Sequence, residues 1–282
     1  MSGVRFAGVA RENDVVSLGG AGFQDVLSVV RGGPDALTRV RAYVAAAPVN
    51  AVVAMDDVTF CAPIPRPPKI LCVGLNYRDH ALEAGMAIPA SPTIFAKFPN
   101  TVIGSGADIV LPANSEKPDY EAEFAFVIGK GGRHLKAADW REHVFGYMNF
   151  NDVSARDVQL AVTQWTMGKN FDTFGPMGPW LVSADEIADP HQLDISLTLD
   201  GVVVQRSNTR ELIFKIPELV EFLSGVMTLE PGDVVSTGTP AGVGMARVPP
   251  LWLRPDSDVR VHVEGLGELR NRCVAEVVRS FV

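Results

Sequence analysis

Glu121, Glu123 and Asp152 are the residues of this chain whose types and spacing best suit chemistry. The first two lie in Asp119-Tyr120-Glu121-Ala122-Glu123-Phe124-Ala125-Phe126-Val127-Ile128. That stretch alternates like a strand, and residues two apart on a strand project from one face, roughly 7 Å apart. Asp152 follows a second apolar run, Val144-Phe145-Gly146-Tyr147-Met148-Asn149-Phe150, which also reads as a strand. If the two strands are neighbours, three acidic groups converge, and like charges that close need something positive between them. A hard divalent cation suits such an all-carboxylate set, Mg²⁺ or Mn²⁺ above Zn²⁺. The competing reading leaves Glu121 and Glu123 facing solvent on an edge strand.

Other polar residues gather around this possibility. Ser154 with Asp157 resembles a helix start, which would put Asp152 beside a helix N-terminus, where free amides favour anions. Arg156 and Gln159 are then three apart on one helical face, able to hold a carboxylate and a carbonyl oxygen or simply to face water. His80 and Glu83 have the same spacing in Asn76-Tyr77-Arg78-Asp79-His80-Ala81-Leu82-Glu83-Ala84-Gly85, a short helix capped by Asn76 and stopped at Gly85. There the carboxylate can orient the imidazole, making His80 the best candidate base; an ordinary surface ion pair is the alternative. Lys169 is a lone cation in an apolar, aromatic loop and needs an anionic partner, from the protein or from a ligand. Two Gly-rich stretches are not nucleotide sites. Gly129-Lys130-Gly131-Gly132 lacks the P-loop pattern and reads as a hairpin turn. Gly238-Thr239-Pro240-Ala241-Gly242-Val243-Gly244 departs from the dinucleotide fingerprint, yet can offer amides and Thr239 to a ligand. No Gly-x-Ser-x-Gly elbow occurs, which argues against a serine hydrolase.

Composition narrows the partners. The 282 residues carry 33 acidic and 25 basic side chains, with no basic run, so neither nucleic acid nor an anionic membrane is expected to bind. The N-terminal Met1-Ser2-Gly3-Val4-Arg5-Phe6 does not read as a signal peptide, and no apolar stretch is long enough to span a bilayer. Cys61, Cys72 and Cys273 read as buried free thiols of a cytoplasmic protein.

The elements that must position these groups divide the chain into a small N-terminal domain, residues 1–62, and a larger catalytic domain, 63–282. In the first, residues 4–10 and 15–18 read as a hairpin, and 23–30 and 36–47 as helices broken at Gly32-Gly33-Pro34. Pro63, Pro65, Pro67 and Pro68 make a stiff linker or rigid crossing. Beyond it, residues 69–75 read as a buried strand, and most later runs are short and β-like. Helices are expected at 154–164 and 216–224. The fold class is α+β, mostly β.

Taken in order, Gly74-Leu75-Asn76-Tyr77-Arg78-Asp79-His80-Ala81, Tyr120-Glu121-Ala122-Glu123, Asn151-Asp152-Val153-Ser154-Ala155-Arg156-Asp157-Val158-Gln159, Lys169 and the 238–244 stretch resemble the fumarylacetoacetate hydrolase family. The likeness runs from about Pro67 to the C-terminus. It implies rolled mixed β-sheets with a metal site at the mouth, a homodimer, and a small N-terminal domain found in many members. It also implies roles: Glu121, Glu123 and Asp152 as ligands of Mg²⁺ or Mn²⁺; His80 and Glu83 as a catalytic dyad on a lid; Lys169 in catalysis; and Arg156, Gln159 and Thr239 around the substrate. The founding fumarylacetoacetase has a further metal-binding Asp where this chain has Val73, so the resemblance is to the shorter bacterial-type members. Those hydrolyse acylpyruvates, decarboxylate oxaloacetate, or isomerise products of aromatic ring cleavage. The expected activity is metal-dependent hydrolysis of a C–C bond in a 2,4-dioxo acid. Decarboxylation or isomerisation at the same site, and more remotely a non-catalytic metal-binding protein, are the alternatives.

Overall fold

The computed structural model describes residues 3–278, so Met1, Ser2 and residues 279–282 of the ranges above lie outside it. Strands β1 (Gly8–Ala10) and β2 (Asp14–Ser17) form the expected antiparallel hairpin. Helix α1 (Val26–Ala45) runs through both expected helical stretches, and the expected break is a kink at Gly33, whose φ of 58° precedes Pro34. Asp25 caps it by accepting from the Ser28 amide. Strand β3 (Val52–Ala54), too short to stand out in the sequence, pairs with β2.

The remaining strands are β4 (Ile70–Gly74), β5 (Thr93–Lys97), β6 (Val102–Ile103), β7 (Ile109–Leu111), β8 (Pro118–Asp119), β9 (Ala122–Ile128), β10 (Val144–Asn151), β11 (Ser154–Ala155), β12 (Gly175–Ser183), β13 (Asp194–Leu199), β14 (Val202–Asn208), β15 (Val234–Ser236), β16 (Asp258–Val263) and β17 (Glu268–Ala275). Short helices α2 (Arg78–Glu83), α3 (Trp140–His143), α4 (Arg156–Gln159) and α5 (Thr166–Lys169) interrupt them, with a longer α6 (Ile216–Val226). Among the described residues, a seven-stranded mixed sheet has the order β5-β4-β15-β9-β10-β12-β6 and a five-stranded sheet the order β14-β13-β16-β17-β7, while β8 and β11 form a separate ribbon. The fold is the expected mostly-β one of curled mixed sheets.

Strand β9 explains where the site sits. It lies between β15 and β10, and all seven of its residues are buried. Phe124, Phe126 and Ile128 pack with Leu197 and Val261 of the five-stranded sheet and Leu219 of α6. Ala125 and Val127, on the other face, pack with Ile70, Phe150 and Val234, and with Val30 of α1. A strand covered on both sides reads as a continuous apolar run, as this one does after its acidic start. The edge-strand reading of Glu121 and Glu123 is therefore wrong. The neighbour condition is met: β9 and β10 are antiparallel, with Glu123 opposite Phe150.

Several local expectations change. The proline-rich stretch is a rigid crossing: Ala62 and Ile64 are buried in the same cluster as Val30 and Ile70. The 154–164 helix shrinks to the single turn α4, because Arg156 and Gln159 are drawn into the interior. Its start is not capped by Ser154, whose hydroxyl donates to the Asp152 carbonyl, and Asp157 accepts from Ser115 and the Glu116 amide. The Gly129–Gly132 stretch is no tight hairpin turn; it opens an excursion through α3 before β10 begins. Cys61 is exposed, whereas Cys72 and Cys273 are buried as expected, and all three are free. Helix α6 forms as expected and runs to Val226.

Candidate active site

Because β9 and β10 are paired, their ends bring Glu121, Glu123 and Asp152 together, and the Asp152 amide donates to the Glu121 carbonyl at 3.0 Å. Each residue offers a carboxylate oxygen within 4.8 Å of the others. All three are buried. Three cations contact them, Lys169, Arg156 and Lys97. Lys169 Nζ donates to Glu121 Oε2 at 2.8 Å and to Asp152 Oδ2 at 2.7 Å. Arg156 Nη1 lies 2.7 Å from Glu121 Oε1 and donates to Gln159 Oε1 at 3.0 Å. Asp152 therefore leans on lysine and not on the N-terminus of α4.

Glu123 is held differently, by the Ser236 hydroxyl and, at 2.8 Å, by the Gly238 amide, both uncharged. The titration of the cluster follows from this arrangement. Burial, then Asp152 and Glu121, push the Glu123 carboxyl well above its ordinary range. Burial acts in the same upward sense on Glu121, but Lys169 and Arg156, with a smaller contribution from His80, outweigh it and hold that carboxylate at about 2. Burial alone would discharge Lys169, yet Asp152 and Glu121 prevail and raise its pKa. The cluster is thus short of positive charge on the Glu123 side. A divalent cation fits that deficit and the all-oxygen donor set.

The candidate base lies close enough to Glu121 to help lower its pKa. His80 Nδ1 donates to Glu83 Oε2 at 3.2 Å, and among the described residues Nε2 has no protein partner. Both oxygens of Glu83 accept from the Gly242 amide, at 2.9 and 3.1 Å. Helix α2 is further pinned by Ser207, which donates to Asp79, and by Arg78, which donates to the Leu212 carbonyl. The expected cap is corrected: Tyr77 is the N-cap residue, and Asn76 instead bonds Phe214 and the Thr237 carbonyl. Gly85, with φ of 62°, does end the helix.

Not every expected residue reaches the cluster. The Thr239 hydroxyl donates to the Ala122 carbonyl and accepts from Gln205, so it is spent on the start of β9. His143 takes no part in the cluster, its ring donating to the Lys130 carbonyl. The amides of the 238–244 loop serve the protein's own carboxylates, Glu123, Glu83 and Asp119. Sequence reasoning missed Lys97, whose Nζ donates to Asp152 Oδ1 at 2.6 Å with no side-chain exposure. Its signal was present, a lone Lys in the apolar run Ile94-Phe95-Ala96-Lys97-Phe98. Asp119, fully buried against Arg156, was missed as well.

One consequence of the charge deficit is measurable without any substrate. Mg²⁺ binding the folded chain alone is expected to raise its melting temperature, with about 2.7 kcal/mol of stabilisation at a hundredfold excess over Kd. Glu123→Gln should lose most of that rise. A rise of equal size in the variant would remove Glu123 from the ligand set.

A buried acidic triad threaded with cations, under a helix that carries an imidazole, defines a small-molecule enzyme. Residues 69–274 match the family model described as fumarylacetoacetate (FAA) hydrolase C-terminal, and the chain belongs to the fumarylacetoacetate hydrolase family. It is 48% identical over 220 residues to oxaloacetate tautomerase Fahd2a, mitochondrial, of Rattus norvegicus, covering 78% of this chain and 70% of that protein. Among solved structures it resembles 5-carboxymethyl-2-hydroxymuconate delta-isomerase from Mycobacterium smegmatis, at 40% identity and a TM-score of 0.72, over 80% of this chain and 86% of that one. It also resembles maleylpyruvate hydrolase from Sphingobium sp. SYK-6, at 29% identity and a TM-score of 0.81, over 97% and 98%. Among the described residues no helix is long and apolar enough to cross a membrane.

Proposed function

We propose that this enzyme is a divalent-metal-dependent tautomerase of a 2-oxo acid, with oxaloacetate as the substrate class. The carrying observation is the His80–Glu83 pair near enough to the acidic triad for His80 to help hold the Glu121 carboxyl down, a proton-moving group next to a place for an oxo-acid. The identity to the rat oxaloacetate tautomerase supports the choice of reaction over hydrolysis, which was the leading expectation.

Enol and keto oxaloacetate differ in one proton, on the C2 oxygen or on C3. His80 moves it: Nδ1–H is fixed on Glu83, so Nε2 takes a proton from one position and returns it to the other. Lys169 places positive charge beside the oxygen on which negative charge grows. A divalent cation held by Glu121, Glu123 and Asp152 would supply Lewis acidity to the 2-oxo group. Helix α2, which carries His80, is held in place by bonds to Ser207, Leu212 and Gly242.

One observation favours a second reading, hydrolysis of a C–C bond in a 2,4-dioxo acid. The solved maleylpyruvate hydrolase resembles this chain over 97% of its length, the N-terminal residues included. The test is to follow the ultraviolet absorbance of enol oxaloacetate and of an acylpyruvate with Mg²⁺ present. Faster ketonisation of the enol is expected. Cleavage of the acylpyruvate with no effect on ketonisation would hand the site to the second reading.

A further inference from the structure

We propose that Asp119 is a positioning residue for the reaction, holding the Arg156 guanidinium so that its Nη2 nitrogen is presented to a carboxylate of the substrate. The assignment rests on the 2-oxo acid reading of the site.

Asp119 ends β8 and is fully buried. Both its oxygens are saturated, each by two donors. Oδ1 accepts from the amides of Tyr120 at 2.8 Å and Gly244 at 2.7 Å. Oδ2 accepts from Arg156 Nε at 2.8 Å and from the Met245 amide at 3.1 Å. A side chain on Gly244 would place a Cβ 2.5 Å from Asp119 Oδ1, so the loop approaches this closely because that position is glycine. The backbones of the two partners are also coupled, since β8 pairs with β11 and the Arg156 amide donates to the Lys117 carbonyl at 2.9 Å.

A guanidinium has five N–H groups. For Arg156, Nε is used by Asp119, and Nη1 by Glu121 and Gln159. Among the described residues, the buried Nη2 has no partner, and Arg156 is only 5% exposed. An orphaned charged donor in the interior is costly. A carboxylate oxygen of a bound oxo-acid would satisfy it beside the triad, and the direction of Nη2 is set by the Nε end, where Asp119 grips. Asp119 is also where the 238–245 loop meets this arginine. The same loop holds Glu123 through the Gly238 amide and Glu83 through the Gly242 amide. Asp119 thereby joins the substrate-binding cation to the loop that braces the base and one triad carboxylate.

Asp119→Asn tests this with little change of volume. Two backbone amides keep the carbonyl oxygen at the Oδ1 position, so the amide nitrogen faces Arg156 Nε–H and Met245 N–H, donor against donor. Two measurements are made at saturating Mg²⁺, with circular dichroism confirming the fold. In the first, KM for enol oxaloacetate should rise about tenfold or more, as for a lost charged hydrogen bond, while kcat holds. A merely structural role would lower the amount of active enzyme and leave KM in place, and that result overturns the proposal. The second needs no substrate: the Arg156 Nε–H proton, followed by nuclear magnetic resonance, should exchange slowly in the wild type and quickly in the variant. A proton equally protected in both overturns the proposal, whatever the enzyme turns over. Wild-type protein inactive on oxaloacetate would defeat the tautomerase reading, and the exchange measurement would then decide the Asp119 assignment.

Discussion

Replacing His80 by alanine is expected to lower turnover of enol oxaloacetate by about 10²–10⁴-fold, the usual contribution of a general acid–base group. Folding should hardly change, because the ring makes one side-chain hydrogen bond, to Glu83, and remains partly exposed. Mg²⁺ affinity should hold too, since His80 touches none of the triad oxygens directly. The same variant sorts the competing chemistries. Decarboxylation needs the developing enolate to be stabilised but no base, so any decarboxylation of oxaloacetate should survive far better than ketonisation. Acylpyruvate cleavage, which needs an activated water, should fall with ketonisation. If His80→Ala slows decarboxylation as much as ketonisation, the residue serves a step common to both, such as holding α2 in place, and its assignment as the proton carrier fails.

The second large effect belongs to Lys169. Its ammonium group is the direct link between Glu121 and Asp152, and neither carboxylate is exposed. Lys169→Met keeps the apolar stem, which lies near the Phe95 ring, and removes the charge. Breaking a buried ion pair from one side costs about 3–5 kcal/mol, so the metal-free variant should melt well below the wild type. Without Lys169, Glu121 loses the cation that contributes most to holding its carboxyl at about 2. A folded pKa below the unfolded value stabilises the protein fully above the ordinary 4.5, and this contribution fades as pH falls towards 2. The variant should therefore unfold at a higher pH on acidification. The triad would also be left with more uncompensated charge and should bind Mg²⁺ more tightly, recovering part of the lost stability. Turnover should nonetheless stay low, because the positive charge offered to the substrate is gone. Titration calorimetry set against steady-state kinetics checks the opposite movement. Weaker Mg²⁺ binding would mean that Lys169 builds the cation site and does not merely compensate its charge.

The triad was legible in the sequence because it depends only on strand periodicity and on two strands being neighbours, both of which leave marks in residue order. Helix α6 and the α1 kink were legible for the same reason, one through its apolar period and the other through Gly33 and Pro34. Helix 154–164 failed because the polar residues that looked like an exposed face are buried. Gly168 presses against Gln159, leaving no room for a side chain between α5 and α4, and such a contact has no local signature. Thr239 and the glycine loop were read as facing a ligand, whereas the Thr239 hydroxyl bonds the Ala122 carbonyl and the Gly242 and Gly244 amides bond Glu83 and Asp119. Asp119 offered no signal separating it from a turn residue. Lys97 does carry one, a lone lysine within an apolar run.

The placement of His80 and of the triad implies an unequal tolerance to change. The three carboxylates stand at the ends of strands whose amides should exchange with deuterium only when the whole domain opens. The imidazole rides on α2, six residues held at their edges by Asp79, Arg78 and Glu83, where fraying alone should release the amides. On the proposed reading, proton transfer and cation binding would fall to parts of the molecule that open separately. If the proposed function holds, grafting a different segment between β4 and β5 should change the reaction while leaving the buried carboxylates in place.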